Sequence, residues 1–408
     1  MRSGALQRKL KNILLIPQNI LQTLSEITPI VSITIPTYNR FSLLKETLDE
    51  LTKQIDENKL HNEIEIVVSD NASKDGTKRV VEDLIGKNKY RIIYNVNPEN
   101  LGVIRNILKL VELSNGKFWM FYGDDDKLPD GSLIKLVNCF KANLDLPAFM
   151  FRQSINVNSA FKELNNIDML SITDTAENYF YYIGNAGVFA ANTALVKKAL
   201  SIQSESLLST CWPQTELFFL AVHLSGNDKI YNSKIASSFS YGNNLIYANS
   251  YYLFETMLYS LVRSALSINK VINTHFAKYA IKSIFGIQFF AVFKYRVLEQ
   301  YMFLDFPDEK KQFRKTLAEA LETIPVQYAK EILYFNRLLA KPEWVIKVWL
   351  YRNYIRRSLN RLTNVPFLNK MKIISPLGYA AIIKEERSLK KKHYISKGKG
   401  ITEGSGYF

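Results

Sequence analysis

At residues 118–126 the chain reads Phe-Trp-Met-Phe-Tyr-Gly-Asp-Asp-Asp. The apolar and aromatic run predicts a buried strand, which ends in three adjacent carboxylates. Like charges so close together repel each other, so folding alone gains nothing from this arrangement. A divalent cation reverses the balance, because Mg²⁺ and Mn²⁺ prefer hard carboxylate oxygens as ligands. The alternative is an ordinary polar loop whose charges point into water.

Strands and short helices alternate upstream of this stretch, which indicates right-handed βαβ units and a parallel sheet. The pattern predicts strands over 31–36, 64–69, 91–95 and 117–122, and helices over 40–55, 77–86 and 103–113. Ligands of such sheets bind at the carboxyl ends of the strands. Three polar clusters, Pro36-Thr37-Tyr38, Asp70-Asn71 and Asp124 to Asp126, are therefore expected to converge on one edge.

Further elements are predicted around these units. Asp75-Gly76-Thr77 predicts a tight turn and a helix start, with Thr77 as a possible cap. A strand is expected over 186–191, a helix over 193–200 capped by Asn192, and a helix over 212–224 with Pro213 in its first turn. Beyond about residue 250 the periodicity is helical.

Length and composition are those of a folded protein. The 408 residues are enough for one large domain and an accessory one. A hydrophobic fraction of 47% and a charged fraction of 22% exclude a wholly disordered chain. Cys139 and Cys211 are too few for a disulfide scaffold and fit a reducing compartment.

The formal charge of +15 is unevenly distributed. Residues 30–250 hold 22 Lys and Arg against 25 Asp and Glu, whereas residues 251–408 hold 27 against 12. A nucleic-acid-binding module carries its basic stripe on the folded core more often than on its flanks, so nucleic acid is not the expected partner. Basic flanks rich in Trp, Tyr, Phe and Ile indicate an anionic membrane surface. No apolar run reaches the roughly 18 residues that a spanning helix needs, so a peripheral, cytoplasmic position on the inner face of the cell membrane is expected.

Four motifs occur in order along the first third of the chain. They read Val-Ser-Ile-Thr-Ile-Pro-Thr-Tyr-Asn-Arg (31–40), Glu-Ile-Val-Val-Ser-Asp-Asn-Ala-Ser-Lys-Asp-Gly-Thr (65–77), Asn-Pro-Glu-Asn-Leu-Gly (97–102) and Gly-Asp-Asp-Asp-Lys-Leu-Pro-Asp (123–130). Together they resemble family 2 glycosyltransferases with the GT-A fold, and in particular the abequosyltransferase-like branch that works on bacterial surface polysaccharides. The resemblance implies an α/β, Rossmann-like, mostly parallel sheet with flanking helices, here followed by a helical C-terminal region.

Composition, periodicity and the resemblance together predict an arrangement of domains. Residues 1–29 form a basic amphipathic N-terminal segment, which lies on a membrane or packs on the domain. Residues 30–245 form the GT-A catalytic domain, with nucleotide-sugar binding over 30–145 and the acceptor side over 146–245. A basic helical C-terminal region follows over 246–390, and 391–408 is a disordered tail.

The donor of such an enzyme is a nucleotide-diphosphate sugar held with Mn²⁺ or Mg²⁺. By resemblance, its binding residues are Pro36, Thr37, Tyr38, Arg40, Asp70, Asn71, Asn100, Arg105, Gly123, Asp124 and Asp125. Asp70 would accept a hydrogen bond from a pyrimidine base. Asp124 would contact the ribose or the metal, and Asp126 would ligate the metal directly, with Asp125 able to exchange roles with either. Ordinary alternatives stay open: Tyr38 and Arg40 as an exposed loop, Asp70 as a turn former and Arg105 as a surface residue.

Inverting transfer needs a general base that deprotonates the acceptor hydroxyl. Family members place an acidic pair on a helix downstream of the metal motif, where this chain reads Trp-Pro-Gln-Thr-Glu-Leu at 212–217. Glu216 is the one carboxylate there and is taken as the base, although the usual Glu-Asp pair is absent. A plain helix-face acid is the alternative, with Asp174 and Asp228 as fallback bases. His223, at the position of a further metal ligand in many members, is expected to be a packed residue.

The expected function is metal-dependent, inverting transfer of a sugar to a glycan or lipid-linked glycan in bacterial surface polysaccharide synthesis. Two other classes stay open. One is a catalytically inactive relative that binds nucleotide sugars. The other is a nucleotidyltransferase, which should carry a glycine-rich basic signature near its first strand, whereas residues 31–42 contain no glycine.

Overall fold

The structure is a computed structural model that describes residues 28–153, 168–207, 210, 212–240, 259–272, 275–284, 309–323, 326 and 330–361. Most of the N-terminal segment 1–29, the whole tail 391–408 and Cys211 lie outside these residues. Within them, no helix is both long enough and apolar enough to cross a lipid bilayer.

Nine strands of the described residues form one mixed sheet. They are β1 Val31–Thr37, β2 Ile64–Asp70, β3 Arg91–Val96, β4 Phe118–Phe121, β5 Asp126–Lys127, β6 Ala148–Gln153, β7 Met169–Ser171, β8 Phe189–Asn192 and β9 Lys229–Ser240. The helices are α1 Phe41–Asn58, α2 Thr77–Gly86, α3 Val103–Leu113, α4 Ser132–Ala142, α5 Ile172–Ile183, α6 Thr193–Leu207, α7 Pro213–Leu224, α8 Ser260–Ile272, α9 Phe276–Ile284, α10 Glu309–Thr323, α11 Lys330–Leu339 and α12 Glu343–Arg361.

The strand order is β3-β2-β1-β4-β8-β6-β9-β5, with β7 beside β9. Strands β3, β2, β1 and β4 are parallel, as predicted. Strand β8 runs antiparallel to both β4 and β6, so β6 points the same way as β4. The carboxyl ends of β2, β1, β4 and β6 therefore share one edge of the sheet. Near its end, β9 pairs Ser240 with Asp126, which ties the predicted acidic motif into the sheet.

The core lies on both faces of the sheet. Alternate residues of β4 divide between the faces: Phe118 and Met120 pack toward α1 and α4, and Trp119 and Phe121 pack toward α3, α5 and α7. This two-sided burial explains why β4 is an uninterrupted apolar run in the sequence.

The predicted elements before residue 122 are all present, with ends displaced by at most three residues. One prediction about their ends is wrong: Pro36 does not stop β1, which continues to Thr37. The β1–β4 ladder ends at Thr34 and Phe121, so Pro36 has only β2 paired beside it, where a missing N–H is tolerated.

Two helix caps were predicted, with different outcomes. Asn192 caps α6 as expected, since its Oδ1 accepts the backbone N–H groups of Ala194 (3.1 Å) and Leu195 (3.2 Å). Thr77 is instead the first residue of α2, and its N–H and hydroxyl both donate to Asp75 Oδ1 (3.0 and 2.6 Å). The capping oxygen there belongs to Asp75.

The described part of the C-terminal region is helical, as predicted, and its first helices pack on the helices that flank the sheet. Helix α8 contacts α7, and α9 contacts α5. The Phe276 ring of α9 lies 5.9 Å from the Phe180 ring and 5.1 Å from the Phe219 ring, between centroids. The larger hydrophobic core thus continues across the sequence boundary near residue 245.

Candidate active site

The three acidic residues follow β4 and are held by donors from the first β-α unit. Thr37 Oγ1 donates to Asp124 Oδ2 (2.9 Å), and Arg40 Nη1 donates to Asp124 Oδ1 (2.6 Å). Arg40 Nη2 also donates to Asp125 Oδ2. One guanidinium thus joins two carboxylates, and the ordinary-loop alternative for Arg40 is excluded in this arrangement.

Asp126 is held apart from that pair. Its Oδ2 accepts the Gly123 backbone N–H (3.1 Å), which closes a tight turn over the acidic run. The Thr47 hydroxyl of α1 lies 2.9 Å from the carbonyl oxygen of Asp124 and 3.0 Å from that of Asp126, so it fixes the backbone on both sides. The sequence pattern did not single out Thr47, although a threonine on the apolar stripe of α1 is a visible signal.

The acidic residues are not splayed into water. Asp124 and Asp126 are 2% and 4% exposed, and the Asp125 side chain is 19% exposed. Burial raises the pKa of Asp124 to about 7, against the lowering effect of Arg40. Burial and the neighbouring Asp125 raise the pKa of Asp126 to about 8. Negative charge in the turn is therefore only partly compensated by Arg40.

A divalent cation matches this donor chemistry, since desolvated carboxylate oxygens are hard ligands. The described arrangement brings Asp124 and Asp125, not Asp124 and Asp126, to a common cation, which is the guanidinium. Among the described residues, no three His, Cys, Asp or Glu side chains converge to hold a metal ion. If two carboxylates of the turn bound such an ion, oxygens from elsewhere would have to complete its coordination sphere. Those of a donor diphosphate are one source.

Asp70 lies at the same edge and is 1% exposed. Its Oδ1 accepts the Ser73 N–H and its Oδ2 accepts the Tyr94 hydroxyl, both at 2.8 Å. The turn-forming role left open by the sequence is thus real, and each oxygen already has one donor. A carboxylate oxygen has two lone pairs, so each oxygen of Asp70 can accept a further hydrogen bond from a base.

Asn71 and Asn100 belong to a chain of hydrogen-bonded amides. Asn71 Nδ2 donates to Asn100 Oδ1 (2.7 Å), and Asn71 Oδ1 accepts Asn97 Nδ2 (3.1 Å) and the Leu101 N–H (2.9 Å). Behind them, Asn97 Nδ2 also donates to Asn106 Oδ1 (2.9 Å). These bonds fix the loop that precedes α3. Asn97 and Asn106 were not expected from the sequence.

The remaining predicted donor residues lie around this edge with fewer contacts. Tyr38 is half-buried in the loop after β1. Arg105 is exposed in the first turn of α3, as its surface-residue alternative would have it. Gly123 allows a close approach: a Cβ there would lie 2.9 Å from Asp126 Oδ2 and 3.2 Å from Asp125 Oδ1.

Glu216 lies in the first turn of α7 and is fully buried. Thr210 Oγ1 donates to its Oε1 (2.6 Å), and no described donor lies within hydrogen-bonding distance of its Oε2. Burial raises the pKa of Glu216 to about 7, although the Thr210, Ser264 and Ser267 hydroxyls lower it. A pKa near neutrality suits a general base, whereas complete burial separates the carboxyl from solvent.

The fallback bases are exposed. Asp174 accepts the Ser171 N–H (3.2 Å) and hydroxyl (2.7 Å) and completes the capping box of α5, which gives it a structural role. His223 is exposed at the end of α7, so the prediction that it is packed is wrong. The helix turns this position outward while its preceding residues are buried.

Comparison with known proteins identifies the class of domain. Residues 32–202 match the model of glycosyl transferase family 2, which is the family that the four motifs resemble.

Two curated relatives match part of this domain. Abequosyltransferase RfbV of Salmonella typhimurium is 38% identical over 117 residues, which are 29% of this chain and 34% of the relative. The GalNAc(5)-diNAcBac-PP-undecaprenol beta-1,3-glucosyltransferase of Campylobacter jejuni is 35% identical over 116 residues, 28% of this chain and 35% of that protein. The match thus spans about a third of the length of each relative.

Solved structures resemble the chain over a greater length. S. aureus TarS 1-349 has a TM-score of 0.53 at 16% identity, covering 82% of this chain and 93% of that one. Its complex with UDP-GlcNAc has a TM-score of 0.52 at 17% identity, covering 79% and 89%. At such identity the likeness shows the fold, which is the GT-A fold with a helical C-terminal region.

Proposed function

We propose that this chain is a metal-dependent, inverting glycosyltransferase. It moves a sugar from a nucleotide-diphosphate donor to a glycan or lipid-linked glycan in bacterial surface polysaccharide synthesis. The observation that carries the proposal is the buried acidic turn at the carboxyl edge of a family 2 domain, with Arg40, Thr37 and Thr47 bonded to it. The names of both curated relatives support a sugar-transfer reaction, and that of the Campylobacter protein supports a lipid-linked acceptor.

The nucleoside half of the donor would lie over the ends of β1 and β2, near Tyr38 and Asp70, and its diphosphate near the acidic turn. Asp124 and Asp126 are the proposed ligands of Mn²⁺ or Mg²⁺. Bound there, the ion supplies Lewis-acid stabilisation of the departing nucleoside diphosphate. Arg40 would then be released from part of its pairing with Asp124 and Asp125 and be able to turn to a phosphate oxygen.

Glu216 is the proposed base, supported by its pKa near 7. Its carboxyl must then become reachable by the acceptor hydroxyl, since a base works within hydrogen-bonding distance. Replacement Glu216→Gln should reduce turnover by about 10²-fold or more while donor binding stays unchanged, because general bases contribute that much. Turnover retained in Glu216→Gln would move the role elsewhere, with Asp174→Asn and Asp228→Asn tested next.

We further propose a peripheral position on the inner face of the cell membrane. Helix α12 buries Ile346 and Leu350 but exposes Trp344 (68%) and Val348 (58%), which lie one turn apart. Arg352 follows one turn later and is exposed. An aromatic and an aliphatic side chain beside a cation, in a region of net charge +15, is a surface that suits anionic lipid.

A donor screen tests the catalytic proposal. UDP-, GDP-, CDP- and dTDP-sugars are each added with Mn²⁺ or with EDTA, and thermal stabilisation and sugar release are measured. One donor class should stabilise the protein only with the metal, and Asp126→Asn should abolish that difference. Asp130→Asn is the matched control, because Asp130 lies in the same segment with its side chain 85% exposed.

The outcomes separate the alternatives. Stabilisation without sugar release or transfer would favour an inactive relative, and pyrophosphate release from a nucleoside triphosphate would favour a nucleotidyltransferase. Stabilisation that persists in EDTA would leave Arg40 as the cation at the diphosphate and remove the metal from the proposal. No stabilisation by any donor would contradict the whole assignment.

A further inference from the structure

Arg152, near the end of β6, is a buried cation that makes no ion pair within the part of the chain that the structure describes. The residue is 8% exposed, and neither Nη1 nor Nη2 has a hydrogen-bond partner among the described residues. Arg40, the arginine at the acidic turn, is in contrast bonded to two carboxylates. Burying an ionised group without a partner is strongly unfavourable, so an unpaired guanidinium is an unusual feature of a domain interior.

Among the described residues, no carboxylate forms an ion pair with Arg152. Residues Ala148 and Met150 of the same strand face the larger core, and Arg152 continues that alternation. Tyr179 of α5 is near enough for the guanidinium to lower its pKa, but burial outweighs this and raises it, so the phenol stays neutral at physiological pH. In the neighbouring strand β9, Ala236 is the residue paired with Arg152. The Ser237 hydroxyl donates to the carbonyl oxygen of Arg152 (3.4 Å).

The sheet places Arg152 on a definite side of the acidic turn. The order β2-β1-β4-β8-β6 puts Asp70 on one side of β4 and Arg152 on the other, at the same edge. Two strand spacings separate β4 from β6, about 10 Å. A donor that extends from Asp70 to the acidic turn would therefore end before Arg152, which leaves Arg152 on the side away from the nucleoside.

A guanidinium offers five N–H donors in a planar fork that matches phosphate and carboxylate oxygens. We propose that Arg152 binds an oxyanion of the acceptor, a phosphate or a carboxylate, and this rests on the glycosyltransferase function proposed above. A lipid-linked pyrophosphate and an acidic sugar are the two sources of such a group. Either would supply a negative charge to pair with Arg152.

The test uses the full-length protein in EDTA without nucleotide, so that the metal-dependent donor site does not contribute. Thermal stabilisation by inorganic pyrophosphate and by glucuronate is titrated for the wild type, Arg152→Met, Arg152→Lys and the exposed-arginine control Arg79→Gln. We expect at least one anion to stabilise the wild type and Arg79→Gln. Its affinity should fall by about tenfold or more in Arg152→Met, as for loss of a charged hydrogen bond, and by less in Arg152→Lys.

Arg152→Met should also melt at the same temperature as the wild type or higher when no anion is present, because it removes an uncompensated charge. Preference for pyrophosphate would identify a phosphate-bearing acceptor, and preference for glucuronate an acidic sugar. Equal stabilisation of Arg152→Met and wild type, no stabilisation of the wild type, or a lower melting temperature of Arg152→Met would each overturn the proposal. Stabilisation by a nucleotide sugar with Mn²⁺ is measured in parallel, and its failure would be a separate result against the proposed function.

Discussion

Individual side chains decide how three adjacent acids are tolerated. Arg40 neutralises part of the charge, Thr37 donates to a carboxylate, and Thr47 donates to the backbone carbonyls that flank Asp125. Burial outweighs these contacts and raises the pKa of Asp124 to about 7 and that of Asp126 to about 8. Further positive charge at this turn would lower those pKa values.

Gly123→Ala tests how closely the turn must be packed. The added methyl would lie 2.9 Å from Asp126 Oδ2 and 3.2 Å from Asp125 Oδ1, so both carboxylates must move. We expect metal-dependent donor binding to weaken by about tenfold or more, a change of roughly 1.4 kcal/mol, measured by calorimetric titration. Gly86→Ala is the control, since nothing lies within 4 Å of a Cβ there. Equal donor affinity in both variants would show that carboxylate placement is not critical.

Glu216 should make stability depend on pH. Its pKa is about 7 in the folded protein against an ordinary value of 4.5, so between these values the folded state holds a proton that the unfolded state has lost. Stability is therefore greatest below the lower value and falls as the pH rises through the higher one. Glu216→Gln should gain stability relative to the wild type across this range in urea unfolding. Glu112→Gln, at an exposed position, controls for the loss of one charge. A difference in unfolding free energy between Glu216→Gln and the wild type that does not change with pH would contradict the raised pKa.

At the scale of elements, the strands and helices that the sequence predicts are those with a clear local periodicity. Strands β1, β2 and β4 end in polar motifs, and their parallel pairing brings those ends together. Strand β5 was missed because it is two residues, Asp126–Lys127, paired with Ser240 far along the chain. Helix α5 was missed although its capping box, Ser171 to Asp174, is legible in the sequence.

Burial of Glu216 was missed for a related reason. Helix α7 reads Pro-Gln-Thr-Glu-Leu-Phe-Phe-Leu-Ala-Val-His-Leu and is apolar on most of its circumference, which indicates a helix surrounded by other elements. A glutamate at position 216 suggested a catalytic base, whereas the apolar pattern of α7 indicated that this residue is buried. Contact with α8, from a region predicted to be separate, completes that burial.

The amide chain between β2 and α3 should be important for stability. Asn106 accepts from Ser69 Oγ (2.7 Å) and Asn97 Nδ2 (2.9 Å) and donates to the Ser69 carbonyl (2.9 Å), and it is 2% exposed. Asn106→Ala removes these three buried hydrogen bonds and should cost about 2 kcal/mol in urea unfolding. Asn178→Ala, an exposed helical asparagine, should cost less than about 0.5 kcal/mol. Similar losses in both would show that the network adds nothing beyond an ordinary surface contact.

At the scale of the whole molecule, charge and core are distributed differently. The larger core joins the catalytic domain to α8 and α9, while the excess positive charge lies in residues 251–408. The described C-terminal helices thus continue the fold. They lie in the part of the chain that carries the excess positive charge. Membrane attachment through α12 would hold the catalytic domain close to a lipid-linked acceptor.

Replacing Trp344 and Val348 by serine tests that attachment. Both side chains are exposed in the structure, so the double variant should fold normally and lose only the apolar contact with lipid. Partition onto vesicles of phosphatidylcholine and phosphatidylglycerol should fall by about tenfold in co-sedimentation, because burial of one such side chain is worth at least that factor. Ile202→Ser, an exposed apolar residue of α6 in the catalytic domain (52%), is the matched control.

Wild-type binding should weaken with salt and on pure phosphatidylcholine, because screening and loss of anionic lipid remove the charge attraction. If binding did not change with lipid charge, with salt or with the double substitution, α12 would be ruled out as the surface that binds the membrane.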